Sequence, residues 1–66
     1  MNDKQQLERL RRNYRSEWDA CQLIAHRNAA LLRTGRQPSD EQLINEQQAV
    51  EAVALARNAL QSALAG

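Results

Sequence analysis

Chemistry needs groups that can reach one another, and the reactive side chains of this 66-residue chain are few and scattered. It has one cysteine, Cys21, and one histidine, His26. Cys21 falls on an apolar helical stripe, where a thiol behaves as a small buried hydrophobe, and no adjacent base or helix N-terminus lowers its pKa. His26 has no acidic or nucleophilic companion three or four residues away, so it reads as a surface histidine. Glu17 and Asp19 are two positions apart and cannot share a helix face. Glu46 and Glu51 lack the Glu-x-x-His partner used by di-iron bundles. A zinc site draws on four protein ligands, or three when catalytic, which one cysteine and one histidine do not supply. The two glycines, Gly35 and Gly66, form no phosphate-cradling loop. The residues therefore point to a protein that is not an enzyme and carries no cofactor or metal.

The remaining chemistry is electrostatic. Arg9, Arg11, Arg12 and Arg15 follow Lys4 closely, and Tyr14 and Trp18 are interleaved with them, a composition that could contact phosphates and stack bases. On a helix the arginines splay: Arg11 and Arg15 flank one edge of the apolar stripe, while Arg9 and Arg12 project from the back. Tyr14 and Trp18 lie on that stripe, where an i/i+4 aromatic pair serves as core.

The elements that position these groups are two helices. Thr34-Gly35-Arg36-Gln37-Pro38-Ser39-Asp40 is the only break in an otherwise helix-forming chain. Helix 1 is expected over about residues 3–33, with Asp3 and Arg33 complementing the dipole at its two ends and Gly35 as a left-handed cap. The turn covers 34–39, and helix 2 runs over about 40–65, until nearly Gly66. Its start carries Ser39 as N-cap, Gln42 three residues on to complete a capping box, and Pro38 to staple onto Leu43. At 1.5 Å per residue the arms are roughly 45 and 40 Å long. The chain is thus a single all-α domain, residues 1–66, an antiparallel two-helix hairpin.

Projection at about 100° per residue gathers Leu7, Leu10, Tyr14, Trp18, Cys21, Ala25, Asn28 and Leu32 into the packing stripe of helix 1, with Asn28 its polar exception. Leu23 points nearly opposite. On helix 2, Leu43, Val50, Val53, Leu60 and Leu64 form a stripe that Ala49, Ala52, Ala56, Ala59 and Ala63 continue around the cylinder towards Leu55. A helix apolar over more than half its circumference needs more than one neighbour, and a chain this short is marginally stable without a staple, a metal or a partner. These residues, Ala49, Ala52, Leu55, Ala56, Ala59 and Ala63, are accordingly expected to meet a second copy, two hairpins making a homodimeric four-helix bundle. If the arms pair about the turn, positions summing to roughly 73 lie opposite, placing Arg57 near Glu17 and Glu46 near Arg27.

Charge divides at the turn. Up to Gln37 there are eight Lys/Arg against four Asp/Glu, and beyond it Arg57 alone against Asp40, Glu41, Glu46 and Glu51. Opposite charges favour pairing of the arms, and the basic arm could also dock an anionic partner. The topology resembles that of the plasmid repressor-of-primer family, short hairpins that dimerise into antiparallel four-helix bundles and bind paired RNA loops along one face. That likeness is one of architecture; Tyr14, Trp18 and the alanine-rich helix 2 depart from the family's layered heptads, and it gives no residue a role. What it implies is a nucleic-acid-binding regulator using helix 1.

The leading expectation is different: a small interaction protein that binds and modulates another protein, in the manner of bacterial or phage regulators and adaptors. Arg9, Arg12, Leu23 and Arg27, on the back of helix 1, combine charge with a large apolar residue, which suits protein docking better than a phosphate track. No apolar run approaches the roughly 18 residues of a membrane span. The polar start Met1-Asn2-Asp3-Lys4-Gln5-Gln6 lacks a secretory hydrophobic region, so a cytoplasmic location is expected.

Overall fold

A computed structural model describes residues 3–65; Met1 and Asn2 of the polar start, and Gly66 at the expected limit of helix 2, lie outside the described residues. Two helices account for the architecture, α1 (Asp3–Arg33) and α2 (Asp40–Ala65), packed against each other as an antiparallel hairpin. The rod measures 53 × 15 × 14 Å. Both helices form because Leu, Arg, Gln, Glu and Ala dominate them and no glycine or proline interrupts either one.

The turn is held by bonds the sequence foreshadows. Gly35 adopts a left-handed φ of 79°. The Arg36 N–H then reaches the Leu31 carbonyl at 2.8 Å and the Gly35 N–H reaches Leu32 at 3.1 Å, the paired bonds of a Schellman ending that satisfy otherwise orphaned carbonyls. The Thr34 hydroxyl donates to the Leu31 carbonyl at 2.9 Å. At the far end of the turn the Ser39 N–H donates to Gln42 Oε1 at 2.8 Å, and the Gln42 N–H donates to Ser39 Oγ at 3.2 Å. This reciprocal capping box starts α2 as its first helical amides would otherwise lack acceptors.

Between the helices very little is buried. Among the described residues only Cys21, Asn28 and Ala56 are buried. Cys21 lies in the seam as its position on the stripe predicts, and Ala56 lets α2 approach α1 closely. Asn28 is the surprise of the packing. Its Nδ2 donates to the Gln42 carbonyl at 3.3 Å and to Glu46 Oε1 at 2.7 Å. The polar exception in the stripe is therefore a cross-link between helices, and it satisfies both its own amide and an acidic side chain. Its partners, residues 42 and 46, also match the register expected about the turn.

Candidate interaction surface

A two-helix rod covers only one side of each helix, and the exposed residues follow from that. Trp18 (48%), Leu32 (61%), Leu43 (50%), Val50 (53%) and Leu64 (56%) all remain about half exposed or more. The sequence reading placed Trp18 and Leu32 in the seam of α1 and the other three on the main stripe of α2. Each lies at the edge of its stripe instead, beyond the reach of a single neighbouring helix.

These edges coincide. Relative to buried Cys21 and Asn28, Trp18 and Leu32 are displaced in one rotational sense around α1. Leu43 and Val50 are displaced in the same sense around α2 relative to buried Ala56. Viewed from one end, antiparallel helices reverse that sense, so both edges turn to the same side of the hairpin. Residues seven apart repeat on it: 11, 18, 25 and 32 on α1, and 43, 50, 57 and 64 on α2. The opposite side holds an open groove lined by Ile24, Arg27, Asn28, Gln42, Asn45 and Gln48, with Ile44 and Leu55 exposed beyond it on α2.

The residues expected to face a second copy are distributed across α2. Ala56 is buried within the hairpin itself at 5% exposure, so it has no surface to give a second chain. Ala49, Ala52 and Ala63 are half-buried, Ala59 is exposed, and Leu55 is the most open large apolar residue at 71%. Ala56, and in part Ala49, Ala52 and Ala63, thus serve the approach of α2 to its own α1. A wheel alone does not say where the centre of the seam will settle.

On the back of α1, Arg9, Arg12 and Arg27 are exposed and Leu23 is 54% exposed. Arg9 and Arg12 form one pair and Leu23 and Arg27 another, about 16 Å apart along the helix. Arg12 also lines a shallow groove with Arg11, Arg15, Ser16 and Asp19, so three of the four clustered arginines share one surface towards the open end. Tyr14 is half-buried, and it borders a second groove with Arg15, Trp18 and Asp19.

The expected ion pairs take another form. Glu46 receives the Asn28 amide, a partner charge patterning does not suggest, and Arg57, which the register about the turn places near Glu17, is exposed. His26 is exposed. Among the described residues no group of three or more His, Cys, Asp or Glu side chains could hold a metal, and no helix is long and apolar enough to cross a membrane. No protein family, curated protein or solved structure matches the chain.

Proposed function

We propose that this chain is a non-enzymatic interaction module, a homodimeric helical bundle that binds and modulates another protein. The observation that carries the proposal is the imbalance of the hairpin: among the described residues three are buried, while eight large apolar side chains stand about half exposed or more. So little burial leaves a two-helix unit marginal on its own, and a second surface supplies what is missing. Pairing of two copies uses one side of the rod. The back of α1, with Arg9, Arg12, Leu23 and Arg27, stays free for a different protein, and an exposed leucine beside arginines has the composition of an interface centre.

A second reading rests on the groove shared by Arg11, Arg12 and Arg15, which suits phosphates and would make the chain a nucleic-acid-binding regulator. Affinity capture from the native host, with and without nuclease, separates the two. On the protein-docking reading, capture survives nuclease and is abolished by Leu23→Asp or Arg12→Glu. It also weakens far less than the 10³-fold or greater loss expected of multi-phosphate contacts when salt rises from about 50 to 200 mM. Nuclease-sensitive, steeply salt-dependent capture that tolerates Leu23→Asp would replace it with the nucleic-acid reading.

A further inference from the structure

The apolar side of the hairpin has an internal order that goes beyond dimerisation. Because α1 and α2 are antiparallel and Asn28 sits level with Gln42 and Glu46, each step of seven residues up α1 corresponds to seven down α2. The edge is then a ladder of four rungs, exposed except at half-buried Ala25. From the open end to the turn they are Arg11 with Leu64, Trp18 with Arg57, Ala25 with Val50, and Leu32 with Leu43. We infer that a second copy of the chain covers this ladder end over end, its turn against the open end of the first, α1 on α1 and α2 on α2.

Three features of the molecule select that arrangement over the one with both turns at the same end. The first is volume. With turns together, rungs meet their own copies, so two Trp18 and two Arg57 side chains share one layer and two Ala25 and two Val50 share the next. The first layer is overfilled and the second leaves a void. End over end, each middle layer holds one Trp18, one Arg57, one Ala25 and one Val50, and equal layers pack at one helix spacing.

Charge within the layers is the second. Turns together would bring two Arg57 guanidinium groups into one apolar layer and two Arg11 into another. End over end separates the Arg57 pair into layers about 10 Å apart, and each side chain can extend its head to the edge. The third is charge along the rod. The half towards the open end, residues 3–19 and 54–65, carries six Lys/Arg and four Asp/Glu, a net +2, whereas the turn half, residues 20–53, carries three Arg and four Asp/Glu, a net −1. Antiparallel stacking lays the basic half on the acidic half.

The face is large enough to hold a dimer. At 53 by 15 Å it covers on the order of 800 Å², about what each partner of a stable interface buries. This inference rests on the homodimer proposed above, and the following experiment distinguishes failure of the orientation from failure of the dimer.

In a Cys21→Ser background, the end-over-end twofold axis crosses α2 midway between Val50 and Arg57, so an Ala54→Cys thiol meets its own copy. It should oxidise to a covalent dimer at least tenfold faster than Leu55→Cys, which is 71% exposed and turned from the ladder. Independently, a spin label on Gln37→Cys at the turn should report a separation between copies of about 50 Å, the rise of the two half-rods. Sedimentation equilibrium accompanies both measurements. A dimer whose labels lie within about 25 Å, the range reached when turns share one end, or whose Ala54→Cys oxidises no faster than Leu55→Cys, overturns the orientation and leaves the homodimer standing. A monomer across the whole micromolar range overturns both.

Discussion

The two long sides of the hairpin share the same two helices yet differ in what holds them. On one side Asn28 donates to the Gln42 carbonyl and to Glu46, and the groove around them is lined by Arg27, Asn45 and Gln48. The Asn28 amide is satisfied within the hairpin, and the polar groups around it open to solvent. On the other side Trp18, Leu32, Leu43, Val50 and Leu64 are about half exposed or more, and no other described residue covers them. Polar groups can be finished by one well-aimed partner, because a hydrogen bond is short and directional. Apolar area is finished only by more surface. A sixty-six-residue hairpin has enough chain for the first task and too little for the second.

The most damaging way to break this comparison is to part the helices, which removes both sides together. Ala56 is 5% exposed, its small side chain enclosed where the helices meet. Ala56→Glu forces a longer side chain and an unpaired carboxylate into that contact, and we expect a loss of about 3 kcal/mol or more, enough to unfold so small a domain. Circular dichroism should show a largely unfolded chain at 25 °C. A cooperative melt close to that of the parent would mean that the helices do not meet at Ala56.

The next effect is confined to the polar side. Asn28→Ala removes both donor contacts and leaves Glu46 without its 2.7 Å partner; hydrogen bonds to charged groups contribute about 1.5–3 kcal/mol, so a loss of about 2 kcal/mol is expected in urea unfolding. Glu46→Gln retains an acceptor oxygen for the same amide and should lose clearly less. Equal losses for the two variants would show that the charge of Glu46, rather than the bond to Asn28, matters.

How much of this was legible in the residues depended on the range of the interaction. The turn was legible in full: Gly35, Ser39 and Gln42 act within a few residues of themselves, and the Schellman bonds and capping box formed where their types demanded. Helix limits followed from the same signals. Register was legible to within a turn, since Asn28 meets residues 42 and 46. The partner of Asn28 was not, because a bond across helices depends on rotation of each about its axis, which the pattern of apolar residues constrains only loosely. The same looseness misplaced the seam of α2: with alanine and aliphatic residues around most of its circumference, α2 could turn several faces to α1, and burial of Ala56 records the choice. The exposed surfaces were legible where a residue stood alone, as Leu23 did, and not where a stripe was wider than one neighbour could cover.

The smallest expected effect acts on the turn, which both sides share and neither distinguishes. Gly35 has a φ of 79°, and an added Cβ would have no atom within 4 Å, so Gly35→Ala meets no steric obstacle from its surroundings. Its cost comes from the backbone alone: a left-handed conformation disfavours a side chain by about 1 kcal/mol, and the stiffer unfolded chain recovers only part of it. Asparagine tolerates this region better than alanine does, because its side chain can bond locally, so Gly35→Asn should fall between alanine and the parent. The urea midpoint should drop for Gly35→Ala while the slope of unfolding free energy against urea stays constant, since the surface buried in the folded state is unchanged. Because Gly35 contributes no side chain to the ladder, the dependence of melting temperature on protein concentration expected of the proposed dimer should persist in this variant. A neutral or stabilising Gly35→Ala would mean that the left-handed ending is dispensable, and that the hairpin is set by contact between the helices rather than by the bonds of its turn.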